Sequence, residues 1–140
     1  MGTTYDNETL GLIRVFEQVT GAQVKDCFMF KDKLTFVVPQ GEIVKALGKN
    51  IQNVKRLETM MNKRIRMVEF SDQRDQFILN MLRPLAAKIE KSEEEILVLS
   101  GPDEKTRGLM IGARAQNLRA LEGIVQKYFS IKEIKVVSPE

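Results

Sequence analysis

The sequence contains no histidine, no tryptophan and a single cysteine. Without histidine it lacks the commonest metal ligand and the commonest acid–base group. Metal hydrolases and Ser-His or Cys-His enzymes are therefore not expected; a carboxylate-only site is left open in principle, but no residue constellation supports an enzyme. One cysteine, Cys27, builds neither a disulfide framework nor a paired metal motif. It stands among strand-like residues and reads as a small core side chain. No cofactor is implied. Apolar runs are short, such as Phe28-Met29-Phe30 and Ile96-Leu97-Val98-Leu99. None approaches the roughly 18 residues of a membrane span. The first twenty residues carry Asp6, Glu8 and Glu17 and lack an apolar signal core, so a cytoplasmic location is expected.

What is present begins with charge. The formal net charge is only +3 over 140 residues, but it is unevenly placed. Residues 1–40 sum to −1, residues 41–68 to +5, residues 69–104 to −5 and residues 105–140 to +4. Two basic zones thus alternate with two neutral or acidic ones, the pattern expected of one plan used twice. Apolar residues at 43% suffice for a packed core.

The two basic zones contain an internal repeat. Gly48-Lys49-Asn50-Ile51-Gln52-Asn53-Val54-Lys55-Arg56-Leu57-Glu58 aligns with Gly112-Ala113-Arg114-Ala115-Gln116-Asn117-Leu118-Arg119-Ala120-Leu121-Glu122. Five of these eleven positions are identical: Gly, Gln, Asn, Leu and Glu. An apolar residue, Leu47 or Ile111, precedes each glycine. Two copies indicate a duplicated domain rather than a solenoid.

Each copy reads as helix, strand, strand, helix, helix, strand. In the first, Asn7 or Thr9 is a candidate cap for a helix carrying Leu10, Ile13, Phe16 and Val19, closed by Gly21. Strands are predicted at 24–30 and through Leu34, Phe36 and Val38, joined at Lys31-Asp32-Lys33. A short helix runs to Leu47. After the glycine loop a second helix would bury Ile51, Val54, Leu57 and Met61, and Arg64 to Met67 forms the last strand. In the second copy Ser71 or Asp72 is the candidate cap, and Pro84 ends the helix near Leu82. Strands are predicted near 86–90 and 95–99, with the acidic turn Ser92-Glu93-Glu94 between them. A short helix follows Pro102. The next helix carries Ala115, Leu118, Leu121, Val125 and Phe129, and Ile131–Val137 closes the copy. The expected domains are 1–71 and 72–140. The short junction Ser71-Asp72-Gln73 favours a fixed pair.

At the glycine loops these residues resemble the KH domain, whose signature is an apolar residue, Gly-x-x-Gly and a second helix with an apolar residue three positions on. The matching stretches are Leu47-Gly48-Lys49-Asn50-Ile51…Val54 and Ile111-Gly112-Ala113-Arg114-Ala115…Leu118. The element order resembles the type II variant. Two such units in succession resemble the paired KH domains of the NusA transcription factors, and a chain of little else is similar to the short archaeal NusA-like proteins. The resemblance implies an α+β fold of two tandem type II KH domains, each a small three-stranded sheet with helices on one face. It implies binding of single-stranded RNA, contact with the nascent transcript and with RNA polymerase, a role in transcription termination or antitermination, and no enzymatic activity. Ribosome assembly or RNA processing, and a protein-interaction scaffold whose loops no longer take RNA, are the alternatives. Nothing in the sequence demands more than a monomer. The sequence departs from the family at the fourth loop position, which is Ile51 in one copy and Ala115 in the other.

The residue types suit the implied chemistry. A KH loop clamps the backbone of about four nucleotides. Glycine lets the main chain approach a phosphate, and the following helix offers free N–H groups and a partial positive charge. The candidate RNA-binding residues are Gly48, Lys49, Asn50, Ile51, Gln52, Lys55 and Arg56 in the first copy. In the second they are Gly112, Ala113, Arg114, Ala115, Gln116 and Arg119. Lys45, Lys105 and Arg107 flank the loops. Asn53 and Asn117 are equally compatible with contacting nucleic acid and with serving the helix start. A groove for bases would be lined by Ile43, Leu47, Val54, Ile65 and Met67. Aromatics are only 6% and none lies in a loop, so stacking platforms are not expected.

Overall fold

The computed structural model describes residues 4–139. The chain divides into two compact units, Met1–Ser71 and Asp72–Glu140. Each unit is α+β, with one three-stranded sheet and its own helices.

The first unit begins with α1, Asn7–Thr20. Its cap is Asp6 rather than Asn7 or Thr9. The Asp6 carboxylate accepts the Thr9 amide at 2.7 Å, and those helix-start hydrogen bonds hold its pKa below the usual value. Gly21 ends the helix at φ 73°, donating its N–H to the Glu17 carbonyl. Strands β1, Asp26–Phe30, and β2, Lys33–Val38, pair antiparallel. Lys31 and Asp32, both at positive φ, make the turn between them. Helix α2, Ile43–Leu47, leads through the glycine loop to α3, Gln52–Met61. Strand β3, Ile65–Glu69, then runs parallel to β2, giving the order β1-β2-β3.

One face of this sheet makes the core. Cys27, Leu34, Phe36, Val38 and Ile65 pack with Phe16 of α1, Ala46 of α2 and Leu57 of α3. The Phe16 and Phe36 rings stack with centroids 4.3 Å apart. Burial, with the Asp26 carboxylate adjacent, pushes the Cys27 thiol up to about 12, so it is an inert core residue. As the middle strand, β2 also buries Thr35 and Val37, so the sequence's alternation does not mark one exposed side. Ile51, placed in the core by periodicity, is instead 58% exposed.

The second unit repeats the order with local differences. Helix α4, Arg74–Leu82, has Gln73 rather than Ser71 or Asp72 at its N-cap position, and the Gln73 side chain makes no capping hydrogen bond. Its start is fixed by Arg74, whose guanidinium bonds the Asp75 carboxylate at 2.9 Å and the carbonyls of Glu94, Glu93 and Ser130 at 2.6, 2.7 and 3.2 Å. The acidic turn is therefore also a backbone acceptor for this arginine. Turns at Leu85 and Ala87 follow the Arg83–Pro84 bond, which is cis, and reach into the start of the strand expected near 86–90. Strand β4 accordingly starts later, at Lys88–Ser92, and pairs antiparallel with β5, Ile96–Ser100, across an irregularity at Ile89/Lys91. Helix α5, Glu104–Ile111, is capped by Asp103. After the second glycine loop come α6, Gln116–Gln126, and β6, Glu133–Val137, parallel to β5. Phe129 lies beyond the end of α6, with its ring 6.2 Å from that of Phe77. Ile78, Met81, Leu97, Leu99, Met110, Leu121 and Ile134 are fully buried.

No helix among the described residues is long and apolar enough to cross a membrane.

Candidate nucleic-acid interface

The two glycine loops share one backbone conformation. Gly48 has φ 74° and ψ 179°, and Gly112 has φ 76° and ψ 170°. That region is essentially closed to residues with a Cβ. The third and fourth positions then adopt left-handed angles in succession. Asn50 and Arg114 stand at φ 55°, ψ 29° and φ 54°, ψ 30°. Ile51 and Ala115 stand at φ 60°, ψ 24° and φ 59°, ψ 23°. The same hydrogen bond, from the fourth amide to the glycine carbonyl, closes both bends at 3.1 Å. A fourth-position glycine would take this conformation freely, which accounts for the glycine of the family signature but not for Ile51 and Ala115. Ile51 and Ala115 hold angles that cost a side-chain-bearing residue about 1–2 kcal/mol.

The repeated residues explain why the two bends agree. A Cβ on Gly48 would lie 2.6 Å from Asn53 Nδ2, and one on Gly112 would lie 2.6 Å from Asn117 Cγ. Each asparagine fills the space the glycine leaves and donates its amide back to the preceding helix. Asn53 reaches the Ala46 carbonyl at 3.1 Å and Asn117 the Leu109 carbonyl at 3.0 Å. Of the two roles the sequence left open, these asparagines therefore hold the helix–loop–helix junction together. Leu57 and Leu121 are buried core residues. Glu58 accepts the Ile65 amide at 3.0 Å, and Glu122 the Ile134 amide at 2.7 Å, each tying the long helix to the last strand of its unit. Four of the five identical residues thus have structural work. The fifth does not. Gln52 and Gln116 are exposed and make no side-chain hydrogen bond. The repeat made all five conspicuous, but only the structure separates this one from the others.

The cations sort in the same way. Lys49, Lys55, Arg56 and Arg114 are exposed and form no ion pair. Arg119 is held by Glu122 through bonds of 2.7 and 2.6 Å, so its charge is largely answered within the chain. Lys45 approaches Glu42 at 3.7 Å, and Arg107 donates to the Gly101 carbonyl at 2.8 Å. Asp side chains cap α1 and α5, whereas α3 and α6, which begin at the glycine loops, have no side-chain cap. The first amide of each, Gln52 or Gln116, donates instead to the Lys49 or Ala113 carbonyl of its bend, so what each helix start presents outward is the positive end of its dipole.

The expected base groove is only partly formed by the residues assigned to it. Ile65 is buried in the core, and Ile43, Val54 and Met67 pack against that cluster. Leu47 is half-buried. The apolar side chains that do reach solvent near the first loop are Val44 and Ile51.

No protein-family model matches the chain. In the crystal structure of APE1850, a chain 22% identical in sequence matches this one with a TM-score of 0.67. It covers 95% of the present chain and 100% of its own, which establishes likeness of fold. Among curated proteins, one from Methanococcus vannielii is 31% identical over 136 residues, covering 95% of this chain and 79% of that protein. One from Halococcus morrhuae is 29% identical over 97% of this chain and 99% of its own length. One from Thermoplasma acidophilum is 26% identical over 95% and 94%. All three are named "Probable transcription termination protein NusA". With two KH-like units, a repeated loop geometry and relatives that match over 95% or more of its length, the chain belongs to the archaeal NusA-like family.

Proposed function

We propose that this chain binds single-stranded RNA at its two glycine loops and, as its named relatives suggest, acts on the nascent transcript in transcription termination or antitermination, with RNA polymerase as a protein partner. One observation carries the reading. Two bends of the same backbone shape each lead into a helix start with no side-chain cap, beside exposed cations that no carboxylate among the described residues pairs with.

Phosphates would meet the main chain at Gly48 and Gly112, at the positive ends of the α3 and α6 dipoles. Lys49, Lys55 and Arg56 in the first unit and Arg114 in the second supply direct charge, with Arg119 a lesser contributor because Glu122 already engages it. Asn50, Ala113 and Ala115 shape the bends, and Gln52 and Gln116 offer an amide to a phosphate or a base edge. Ile51 contributes an exposed apolar surface. Binding at one loop raises the effective concentration of RNA at the other. The role requires no cofactor and no catalytic group.

The test is RNA affinity against salt. The wild type is expected to bind a single-stranded RNA 12-mer with an affinity that falls steeply as salt rises. Lys49→Glu combined with Arg114→Glu weakens binding and makes the log–log slope shallower by about 1.4, or about 0.7 per lost phosphate contact. A wild type that fails to bind at low salt overturns the reading and favours a scaffold. Co-purification with RNA polymerase, rather than with ribosomal precursors, is the expected cellular partner result.

A further inference from the structure

The two loops share a backbone but differ in what projects from them. Val44 is 79% exposed and Ile51 is 58% exposed. Both are tied by the main chain to Gly48, which donates its N–H to the Val44 carbonyl and accepts the Ile51 amide, each at 3.1 Å. Two apolar side chains therefore stand in solvent within one turn of the first loop's glycine. The positions that correspond in the second unit are Gly108 and Ala115. A Cβ at Gly108 would meet nothing within 4 Å, so this site is open rather than filled by a neighbour. Leu109 is 45% exposed, but it stands one residue further along α5, about 100° around the helix from Gly108.

An exposed valine and an exposed isoleucine gain nothing from water, and Ile51 also sits at left-handed angles that strongly disfavour a β-branched residue. Both features cost free energy in the unbound chain. Lys49 lies within the same loop, and Lys55 and Arg56 follow in the next turn of α3, all three exposed and without an ion pair, which favours an occupant that is apolar on one surface and anionic along its edge. A nucleobase on a sugar-phosphate strand has that character.

We infer that the two units divide the work on RNA: the first loop contacts bases as well as phosphates through Val44 and Ile51, and the second grips only the sugar-phosphate strand. This rests on the RNA-binding reading above. The base-binding surface is aliphatic, which fits the lack of aromatic residues in the loops. It also favours tolerance of base identity over hydrogen-bonded sequence readout.

The experiment compares a 12-nucleotide RNA with a 12-residue abasic ribose-phosphate strand, by fluorescence anisotropy at one low salt concentration. The wild type is expected to bind the base-bearing strand about tenfold more tightly. Val44→Ser with Ile51→Ala is expected to bring that ratio close to one. Gly108→Val with Ala115→Ile, which copies the apolar pair into the second unit, is expected to raise it. Urea midpoints confirm that both variants are folded. A wild-type ratio of one, or a ratio that the Val44/Ile51 variant leaves as it was, overturns the division while RNA binding itself stands. A wild type that binds neither strand overturns both.

Discussion

The first unit places Lys-Asn-Ile after its loop glycine, and the second places Ala-Arg-Ala. Yet corresponding backbone angles in the two bends agree to within about ten degrees. Apart from the exposed Gln52 and Gln116, the duplicated plan has thus been kept where a side chain faces inward and released where it faces water. Glycine and asparagine interlock at each bend, leucine fills each core, and glutamate takes an amide near the start of each closing strand. Between them the solvent-facing residues have changed charge position, size and polarity. A common bend with different side chains is what two sites on one polymer need if they hold the same backbone but meet different parts of it.

Breaking the interlock should have the largest effect and should be symmetrical. Gly48→Ala and Gly112→Ala each force a Cβ to within 2.6 Å of the partner asparagine, in a backbone region that excludes it. Each is expected to cost about 2–3 kcal/mol in urea unfolding. A large difference between the two would show that the bends are not equivalent.

The glutamates should separate the units. Glu122 is buried and serves both Ile134 N–H and Arg119, while Glu58 is half-buried and serves Ile65 N–H. Glu122→Ala leaves a buried amide unsatisfied and is expected to cost about 2 kcal/mol, against about 1 kcal/mol for Glu58→Ala. Equal costs would mean that the Arg119 pair adds nothing. The same Glu122 variant frees Arg119, so its RNA-binding slope should steepen by about 0.7.

The smallest effect sharpens the comparison at the fourth loop position. Ile51→Gly relieves left-handed strain at a β-branched residue, and Ala115→Gly relieves less. Set against the entropy glycine adds to the unfolded chain, Ile51→Gly is expected to stabilise by about 0.5 kcal/mol and Ala115→Gly to be near neutral. Thermal melts of the two variants measure the difference directly.

The fold was legible wherever buried positions recur. The repeat at residues 48–58 and 112–122 located both bends, and Gly21 and Pro84 marked helix ends through properties that belong to glycine and proline alone. Local competition hid the rest. Asp6 outcompeted Asn7 as a cap because its carboxylate reaches the Thr9 amide. Arg74 fixed the start of α4 through carbonyls some twenty and fifty-six residues away, which no local pattern reports. The periodicity that put Ile51 in the core took no account of the left-handed bend, which swings it to solvent. At the candidate interface, the cations and glycines were readable as residue types. Which cations were already paired, and which polar residue of the repeat was free, depended on partners that only folding brings together.

Amide chemical shifts followed by NMR during titration with a single-stranded RNA 12-mer test the central claim most directly. The account expects the largest changes at residues 48–56 and 112–119, saturating together, with the β4–β5 turn at 93–95 unmoved. Changes concentrated on that acidic turn, or spread evenly with both glycine bends silent, would contradict it.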